Sequence, residues 1–590
     1  MTVVDPDLRE RVLAWIDDDP DPATRAELQQ VLDSADDAGP GAEAASADLA
    51  DRFAGRLEFG TAGLRGAIGA GPNRMNVAVV QRAAAAVAAW VRSGASVPDG
   101  GEHRSPAERG VVIGFDARHR SRDFAEASAA VIAGAGVAAH VLPEPLPTPV
   151  LAFAVRHLGT AAGIMVTASH NPPEDNGYKV YDGTGRQIVP PSDAEIAATI
   201  ATIDRVADLA LAADTDRLIQ RLGAEVADAY VAAASRIGPV PEARNIRLAS
   251  TALHGVGAAT LRRTLTSAGF APPVEAATQA VPDPDFPTVA FPNPEEPGAL
   301  DEALATAAAA GVDLVLANDP DADRLGAAIP PRDPGARVEP AAWRVLRGDE
   351  IGVILADHLL RHTPAAVLDG AVVATTIVSS TLLRALATEA GVAHVETLTG
   401  FKWLSRAAGP GQHRLFAYEE ALGFCIGDLV GDKDGISAAL VLAEAAALQA
   451  GAGRTLHDVL DDLARRHGVH VTGQWSARVT GADGMDRLRT AMANLRSHAP
   501  DELAGREVLD VVDLRDGDPG RGFPPSDVLT WHLDGGRVVV RPSGTEPKLK
   551  CYVEVVVAVG VGVDLDEARA QAATTLTAVT AAAASATGLA

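Results

Sequence analysis

The sequence predicts an α/β protein, and three observations predict it. Short apolar runs ending in turn residues are each followed by a stretch with helical spacing, and this pairing recurs three times between about residues 75 and 450. A Pro-rich break at residues 330–334 separates two of these stretches. From about residue 466 the composition changes to hairpin-forming runs. A chain of 590 residues accommodates several domains, at roughly 100–200 residues each.

Residues 1–50 read as a helical, acidic extension. Trp15 and Ile16 stand beside Asp17, Asp18 and Asp19, and residues 23–32 show helical spacing. The first layered domain is expected over 51–212, with helices at 79–91 and 124–135 and strands at 111–116 and 163–167. A second is expected over 213–330, with strands at 246–251 and 313–317, and a third over 331–465, with a strand at 371–377 and helices at 348–358, 380–390 and 436–449. The last, over 466–590, reads as α+β: a hairpin at 532–540, a strand at 551–557 and a helix at 565–584. No sequence repeat relates the units.

Composition bounds the partners. Lys and Arg total 51 against 78 Asp and Glu, a net charge of −27. So acidic a surface disfavours nucleic acid and anionic membranes, while a local cluster of Arg and Lys can still hold a small anion. Cys425 and Cys551 are too few for a disulfide framework and read as buried thiols. The first residues lack the basic-then-apolar pattern of a signal peptide, and no apolar run reaches the ~18 residues of a membrane span. A cytoplasmic protein is expected.

Four loops carry chemistry. The first, Thr167-Ala168-Ser169-His170-Asn171-Pro172-Pro173-Glu174-Asp175-Asn176-Gly177-Tyr178-Lys179, follows an apolar run and is dense in turn formers. It sets a serine hydroxyl at the carboxyl end of a strand, where open α/β sheets bind ligands. His170 follows at once and Lys179 is expected further along the same loop. That combination suits a serine that carries or receives a charged group. The glycines at 60, 63 and 66 surround Arg65 and make a second anion-facing loop. The second strong feature is Asn318-Asp319-Pro320-Asp321-Ala322-Asp323-Arg324, an apolar strand running into three alternate carboxylates. Such an oxygen set suits a hard divalent cation. It is no EF-hand, because Arg324 and Pro330 stand where Gly and Glu are required, and Arg324 also spoils a haloacid-dehalogenase nucleophile motif.

The third loop holds Tyr418-Glu419-Glu420-Ala421, where paired glutamates can accept hydrogen bonds from vicinal hydroxyls; two exposed acids opening a helix are the bland alternative. In the fourth, Arg541-Pro542-Ser543-Gly544-Thr545-Glu546-Pro547-Lys548-Leu549-Lys550 has the composition of a phosphate clamp. The joint reading is a phosphosugar enzyme with a phosphorylated serine and a metal ion.

With all these motifs in order over about residues 55–560, the chain resembles the α-D-phosphohexomutases, which include phosphoglucomutases and phosphomannomutases. The runs Phe59–Gly66, Thr399-Gly400-Phe401-Lys402-Trp403 and Lys433-Asp434-Gly435-Ile436-Ser437 resemble the longer branch, which also holds phosphopentomutases. The resemblance implies three similar α/β domains with mixed sheets and a smaller C-terminal α+β domain around a central cleft. It implies Ser169 as the phosphoserine, with Asp319, Asp321 and Asp323 binding one Mg²⁺ together with the phosphoryl oxygen on Ser169. Lys179, His170 and Arg65 would lie near the transferred group, Lys179 as general acid or base and Lys433 as the second candidate. Arg324, Gly400, Lys402, Glu419 and Glu420 would contact substrate, and Arg541, Ser543, Gly544, Thr545 and Lys550 would hold its non-reacting phosphate. The implied reaction interconverts hexose 1- and 6-phosphates through a bisphosphate, a trace of which serves as activator. The implied partner is a small sugar phosphate, and the protein a monomer or dimer.

One departure is Ala421, where many glucose-type members carry Ser. Pentose 1-phosphates are therefore the alternative substrates. A phosphatase is disfavoured, since a hydrolase needs no grip on both ends of a sugar, and a non-catalytic sensor is disfavoured by the intact Ser169, Lys179 and three aspartates.

Overall fold

A computed structural model describes residues 4–37, 39, 41–60, 63–96, 104–332, 338–479, 484–543 and 548–589. The chain divides into two compact units, Met1–Val345 with Phe424–Ala443, and Leu346–Gly423 with Glu444–Ala590.

The first unit begins with helices Pro6–Asp18, Pro22–Asp36 and Ala42–Arg52. The first two start alike: Asp5 and Asp21 cap exposed backbone N–H groups and proline takes the first helical position. Their apolar faces close on Val12, Leu28, Leu32, Leu49 and Phe53. The extension is thus a packed helical layer.

The first sheet comprises Leu64–Ala67 (β1), Val111–Phe115 (β2), Ala139–Val141 (β3), Ala162–Val166 (β4), Asp175–Asp182 (β5) and Ile219–Arg221 (β6), in the order β1-β5-β4-β2-β3-β6. Strands β2 and β4 are buried throughout and pair in parallel. Helices pack on this sheet, so its central strands carry near-continuous apolar runs and no alternation. Strand β5 returns antiparallel to β4. The second sheet repeats that plan. It comprises Leu248–Thr251 (β7), Val274–Glu275 (β8), Leu314–Ala317 (β9), Gly326–Ile329 (β10) and Arg344–Leu346 (β11), ordered β11-β10-β9-β7-β8. Central β9 is parallel to β7, and β10 returns antiparallel to β9.

In the second unit, Ala371–Thr376 (β12) pairs in parallel with both Ala393–Thr397 (β13) and His413–Glu419 (β14), and the chain then passes into Gly423–Ile426 (β15). An antiparallel sheet follows, of Val469–Arg478 (β16), Glu502–Leu503 (β17), Arg506–Asp513 (β18), Leu529–Leu533 (β19), Gly536–Pro542 (β20) and Lys548–Val557 (β21), ordered β16-β21-β20-β19-β18-β17. Helix Leu565–Ala586 packs on β16 and β21. The expected hairpin is β19–β20, turning at Asp534-Gly535 with Gly535 at φ +71°. Both cysteines are free and buried.

A repeat invisible in the sequence is plain in the backbone. The loops leaving β4, β9 and β14 each contain a non-glycine residue with left-handed φ: Ser169 at +53°, Ala322 at +55° and Leu422 at +59°. Such residues are uncommon and concentrate where a loop is fixed by its surroundings. Among the described residues no single helix is long and apolar enough to cross a membrane.

Candidate active site

The Ser169 loop is held by an arginine that the sequence reading passed over. Arg118, just past β2, donates from Nη2 to the carbonyls of Ser169 (2.6 Å) and Asn171, and from Nη1 to those of Pro172 (2.7 Å) and Asp175 (3.2 Å). One buried guanidinium thereby satisfies carbonyls that a tight turn leaves without strand partners. Thr167 Oγ1 accepts from the Ser169 N–H at 2.8 Å. The signal was available: Arg118 follows a fully apolar strand and stands where the fold puts ligand-facing side chains.

Ser169 Oγ donates to Asp319 Oδ2 at 2.7 Å and lies 3.2 Å from His170 Nδ1. All three aspartates are buried, and their oxygens lie within 4.8 Å of one another. Lys179 is not in the loop, as the sequence suggested. It lies within β5, opposite Met165, because Tyr178-Lys179-Val180-Tyr181 carries the aromatic and β-branched residues that favour a strand and pairs with β4. From there Lys179 Nζ reaches Asp321 Oδ2 at 2.7 Å and Asp323 Oδ2 at 3.0 Å. Lys433 Nζ approaches Asp323 Oδ2 at 3.3 Å, and Thr148, also unread in the sequence, donates to Asp321 Oδ2 at 2.7 Å.

Two glycines are required by close approach. A Cβ on Gly63, at φ +84°, would stand 1.8 Å from the Tyr178 carbonyl oxygen; its absence lets β1 lie on β5 and carry Arg65. Arg65 Nη1 donates to Asn171 Oδ1 at 3.0 Å. A Cβ on Gly435 would stand 2.1 Å from the Arg324 carbonyl oxygen, so this glycine seats the Lys433 segment on the aspartate loop. Asp432 braces that segment by accepting from Tyr181 Oη at 2.9 Å and Gln187 Nε2 at 2.7 Å. Arg324 itself turns its Nη1 to Glu295 Oε2 at 3.2 Å, and its backbone N–H donates to Asp319 Oδ1 at 3.0 Å.

The electrostatics divide the three acids. Burial opposes ionisation of each. At Asp321 the ammonium of Lys179 and the hydrogen bonds from Lys179 and Thr148 overcome it and hold the carboxyl below its usual range. At Asp323 burial and Asp321 push up, but Lys179 and Lys433 prevail and the net shift is down. Asp319 is pushed well above its usual range by burial and then by its two charged neighbours. Burial, Arg324 and Arg65 push His170 well below the ordinary histidine range, so its ring is neutral. Asp321 Oδ1 and Asp323 Oδ1 are buried without a hydrogen-bond partner among the described residues. Buried carboxylate oxygens are seldom left so, and with Asp319 they fit a hard divalent cation.

The second unit holds the other expected residues. Glu419 ends β14 and Glu420 follows in a turn, not at the start of a helix. Glu420 Oε2 accepts from Ser379 Oγ at 3.0 Å and Thr376 Oγ1 at 3.3 Å. Burial, with the charges of Asp349 and Glu419, lifts the Glu420 carboxyl to about 7. Gly400, at φ +109°, precedes the helical turn Phe401–Leu404, in which Lys402 is buried with its ammonium 5.1 Å from the Trp403 ring centre. Arg541 and Lys550 are register partners on β20 and β21, and Arg541 Nη1 donates to Thr399 Oγ1. The Ser543 N–H donates to the Lys548 carbonyl at 2.7 Å. Gly544 and Thr545 lie outside the described residues.

The domain models of the phosphoglucomutase/phosphomannomutase family match this chain in series. The alpha/beta/alpha domains I, II and III match residues 56–207, 228–331 and 347–467, and the C-terminal domain matches 486–559. A Haemophilus influenzae protein named "Probable phosphomannomutase" is 41% identical over 487 residues, covering 81% of this chain and 93% of that protein. The mouse protein named "Phosphopentomutase" is 33% identical over 590 residues, covering 94% and 91%. The crystal structure of a phosphoglucomutase/phosphomannomutase family protein from Burkholderia thailandensis shares the fold, with a TM-score of 0.66 at 21% identity, over 90% of this chain and 98% of that one.

Fold and relatives together define an isomerase that moves phosphate within its substrate, a sugar-phosphate mutase. The chain belongs to the phosphoglucomutase/phosphomannomutase family, within the α-D-phosphohexomutase superfamily, and has its four-domain α/β architecture.

Proposed function

We propose that this enzyme interconverts hexose 1-phosphate and hexose 6-phosphate, of glucose, mannose or both, through a phosphoserine at Ser169 and a bisphosphorylated sugar. The observation that carries the reading is the Ser169 hydroxyl, fixed on a left-handed residue 2.7 Å from Asp319, beside an aspartate set matched by two lysines. In the forward half-reaction the Ser169 Oγ–P bond breaks and a bond forms between that phosphorus and the free sugar hydroxyl. The hydroxyl proton passes to Lys179, or to Lys433 as the second candidate, acting from the neutral amine; the ammonium form, paired with the aspartates, is the acid that reprotonates the sugar oxygen when phosphate returns to Ser169. The sugar then reorients, its other phosphate returns to Ser169, and the isomeric monophosphate leaves.

Asp319, Asp321 and Asp323 would hold one Mg²⁺, which when bound would neutralise charge on the transferring phosphoryl group. Arg118 keeps the serine loop in shape through its carbonyl contacts. Arg65, on β1, supports the same loop through Asn171 and supplies a cation beside the transferred group, as Arg324 does from the aspartate loop. The neutral ring of His170 orients the Ser169 hydroxyl. Gly400, Lys402, Glu419 and Glu420 would meet the sugar, and Arg541, Ser543, Gly544, Thr545 and Lys550 the non-reacting phosphate. A trace of sugar bisphosphate would re-phosphorylate Ser169 when the intermediate escapes. The protein would act in the cytoplasm, as a monomer or dimer, on small sugar phosphates.

A second reading is specifically favoured by Ala421 and by the relative named "Phosphopentomutase": the same chemistry on ribose or deoxyribose 1-phosphate. Side-by-side mutase assays on glucose, mannose and ribose 1-phosphates, with Mg²⁺ and a trace of bisphosphate, separate the two. A higher kcat/KM for a hexose phosphate supports the first, a preference for ribose the second, and failure on all three with Ser169 phosphorylated overturns the substrate class.

A further inference from the structure

A second concentration of cations lies away from the aspartate loop, where the N-terminal helices meet the first sheet's layer. A cavity of about 450 Å³ opens there, within the roughly 300–1,000 Å³ of small-molecule sites. Arg11, Arg56, Arg82 and Arg205 line it, against two acids, Asp18 and Asp204. In a chain of net charge −27 this is a local reversal of sign. Trp15 and Phe53 supply an apolar wall, their rings edge to face at 6.4 Å between centres.

The acids do not balance the arginines. Asp18 Oδ2 accepts from Arg82 Nη2 at 2.7 Å, but the same carboxylate also accepts backbone N–H groups of Val206 at 3.0 Å and Ala207 at 3.1 Å. Its charge is spread over three donors. Arg205 is drawn to Asp17 at 2.9 Å. Among the described residues Arg11 donates to the Phe53 carbonyl, at 3.0 Å, and Arg56 makes no hydrogen bond or ion pair. Arg82 is 95% buried, and its Nε and Nη1 have no hydrogen-bond partner among the described residues. Its guanidinium is 5.0 Å from the Trp15 ring centre. A guanidinium with idle donors, beside Arg11 and Arg56, which pair with no carboxylate among the described residues, leaves four arginines against two acids, an excess of positive charge that an anion would neutralise. An aromatic wall beside such a cluster adds a face for a flat ring.

We propose that this cavity is a binding site for a ring-bearing organic phosphate of nucleoside-diphosphate size, distinct from the Ser169 centre. None of its lining residues is among those given a role in the reaction.

The test is calorimetric titration of the full chain with ADP at low ionic strength. The expected result is saturable binding, weakened at least tenfold by the double substitution Arg11→Ser with Arg56→Ser. Both side chains are exposed, so that variant keeps its fold. Arg541→Ser, in the proposed substrate-phosphate loop, leaves ADP affinity within twofold. Inorganic phosphate, which cannot meet the aromatic wall, binds at least tenfold more weakly than ADP. The proposal is overturned if the wild-type chain takes up no ADP, if Arg541→Ser abolishes binding while the Arg11/Arg56 variant retains it, or if phosphate binds as tightly as ADP.

Discussion

Two carboxylate clusters, one in each unit, solve the burial of acids in opposite ways. In the first unit Asp321 and Asp323 are kept ionised by cations aimed at them, Lys179 and Lys433, together with the Thr148 hydroxyl. In the second unit Glu420 is surrounded by hydroxyls and other acids; Ser379 and Thr376 donate to it, but Asp349 and Glu419 repel it, and its carboxyl rises to about 7. Burial costs a carboxylate its hydration in both places, and the nearest charge decides the outcome. A cluster matched by lysines keeps oxygens ready for a metal cation and phosphate. A carboxyl that takes its hydrogen bonds from hydroxyls, as Glu420 does, is suited to neutral, hydroxyl-bearing ligands.

The largest expected effect breaks the first cluster at its centre. Ser169→Ala should lower mutase turnover by at least about a thousandfold, the scale of losing a nucleophile, with the thermal midpoint little changed. Turnover at wild-type levels would remove Ser169 from the chemistry. Next, Asp323→Asn should lower kcat about a hundredfold or more by taking one ligand and one negative charge from the phosphoryl site. Titrating Mg²⁺ against activity checks it: the half-saturating concentration should rise as kcat falls. Arg118→Lys tests the loop clamp. A lysine cannot serve four carbonyls with one planar fork, so kcat should fall about tenfold to a hundredfold while KM changes less.

The second cluster gives a stability test. The folded carboxyl of Glu420 titrates at about 7, above its ordinary value of 4.5. Its raised pKa makes a contribution that is complete below about pH 4.5 and lost as pH rises through about 7. Glu420→Gln, which cannot ionise, should therefore gain stability relative to wild type between pH 5 and pH 8, read as the difference in urea midpoints. A difference independent of pH would contradict the charge assignment. The smallest effect expected is from Ala421→Ser. One restored hydroxyl is worth about 0.5–1.5 kcal/mol, so the ratio of kcat/KM for glucose over ribose 1-phosphate should shift by roughly twofold to twelvefold.

Much of this was legible in the chain. Local pattern exposed the strands, because β2, β4 and β9 are buried on both faces and read as unbroken apolar runs. It also exposed Ser169 and the three aspartates, because turn formers and alternate acids are local signals. What escaped was whatever depends on pairing between distant segments. Lys179 read as loop because turn formers precede it, yet register with Met165 makes it strand. Arg118 and Thr148 looked ordinary because their partners lie 51 and 173 positions away. The common plan of the loops after β4, β9 and β14 resides in backbone conformation at Ser169, Ala322 and Leu422, three residues with no chemistry in common.

The measurement that most directly tests the central claim is to phosphorylate the enzyme with ³²P-labelled glucose 1,6-bisphosphate in the presence of Mg²⁺, locate the label by peptide mapping, and chase with unlabelled sugar monophosphate. The account predicts label on the peptide containing Ser169, transferred into sugar phosphate during the chase. Label on another residue, or its release as stoichiometric inorganic phosphate without isomer formation, would contradict it.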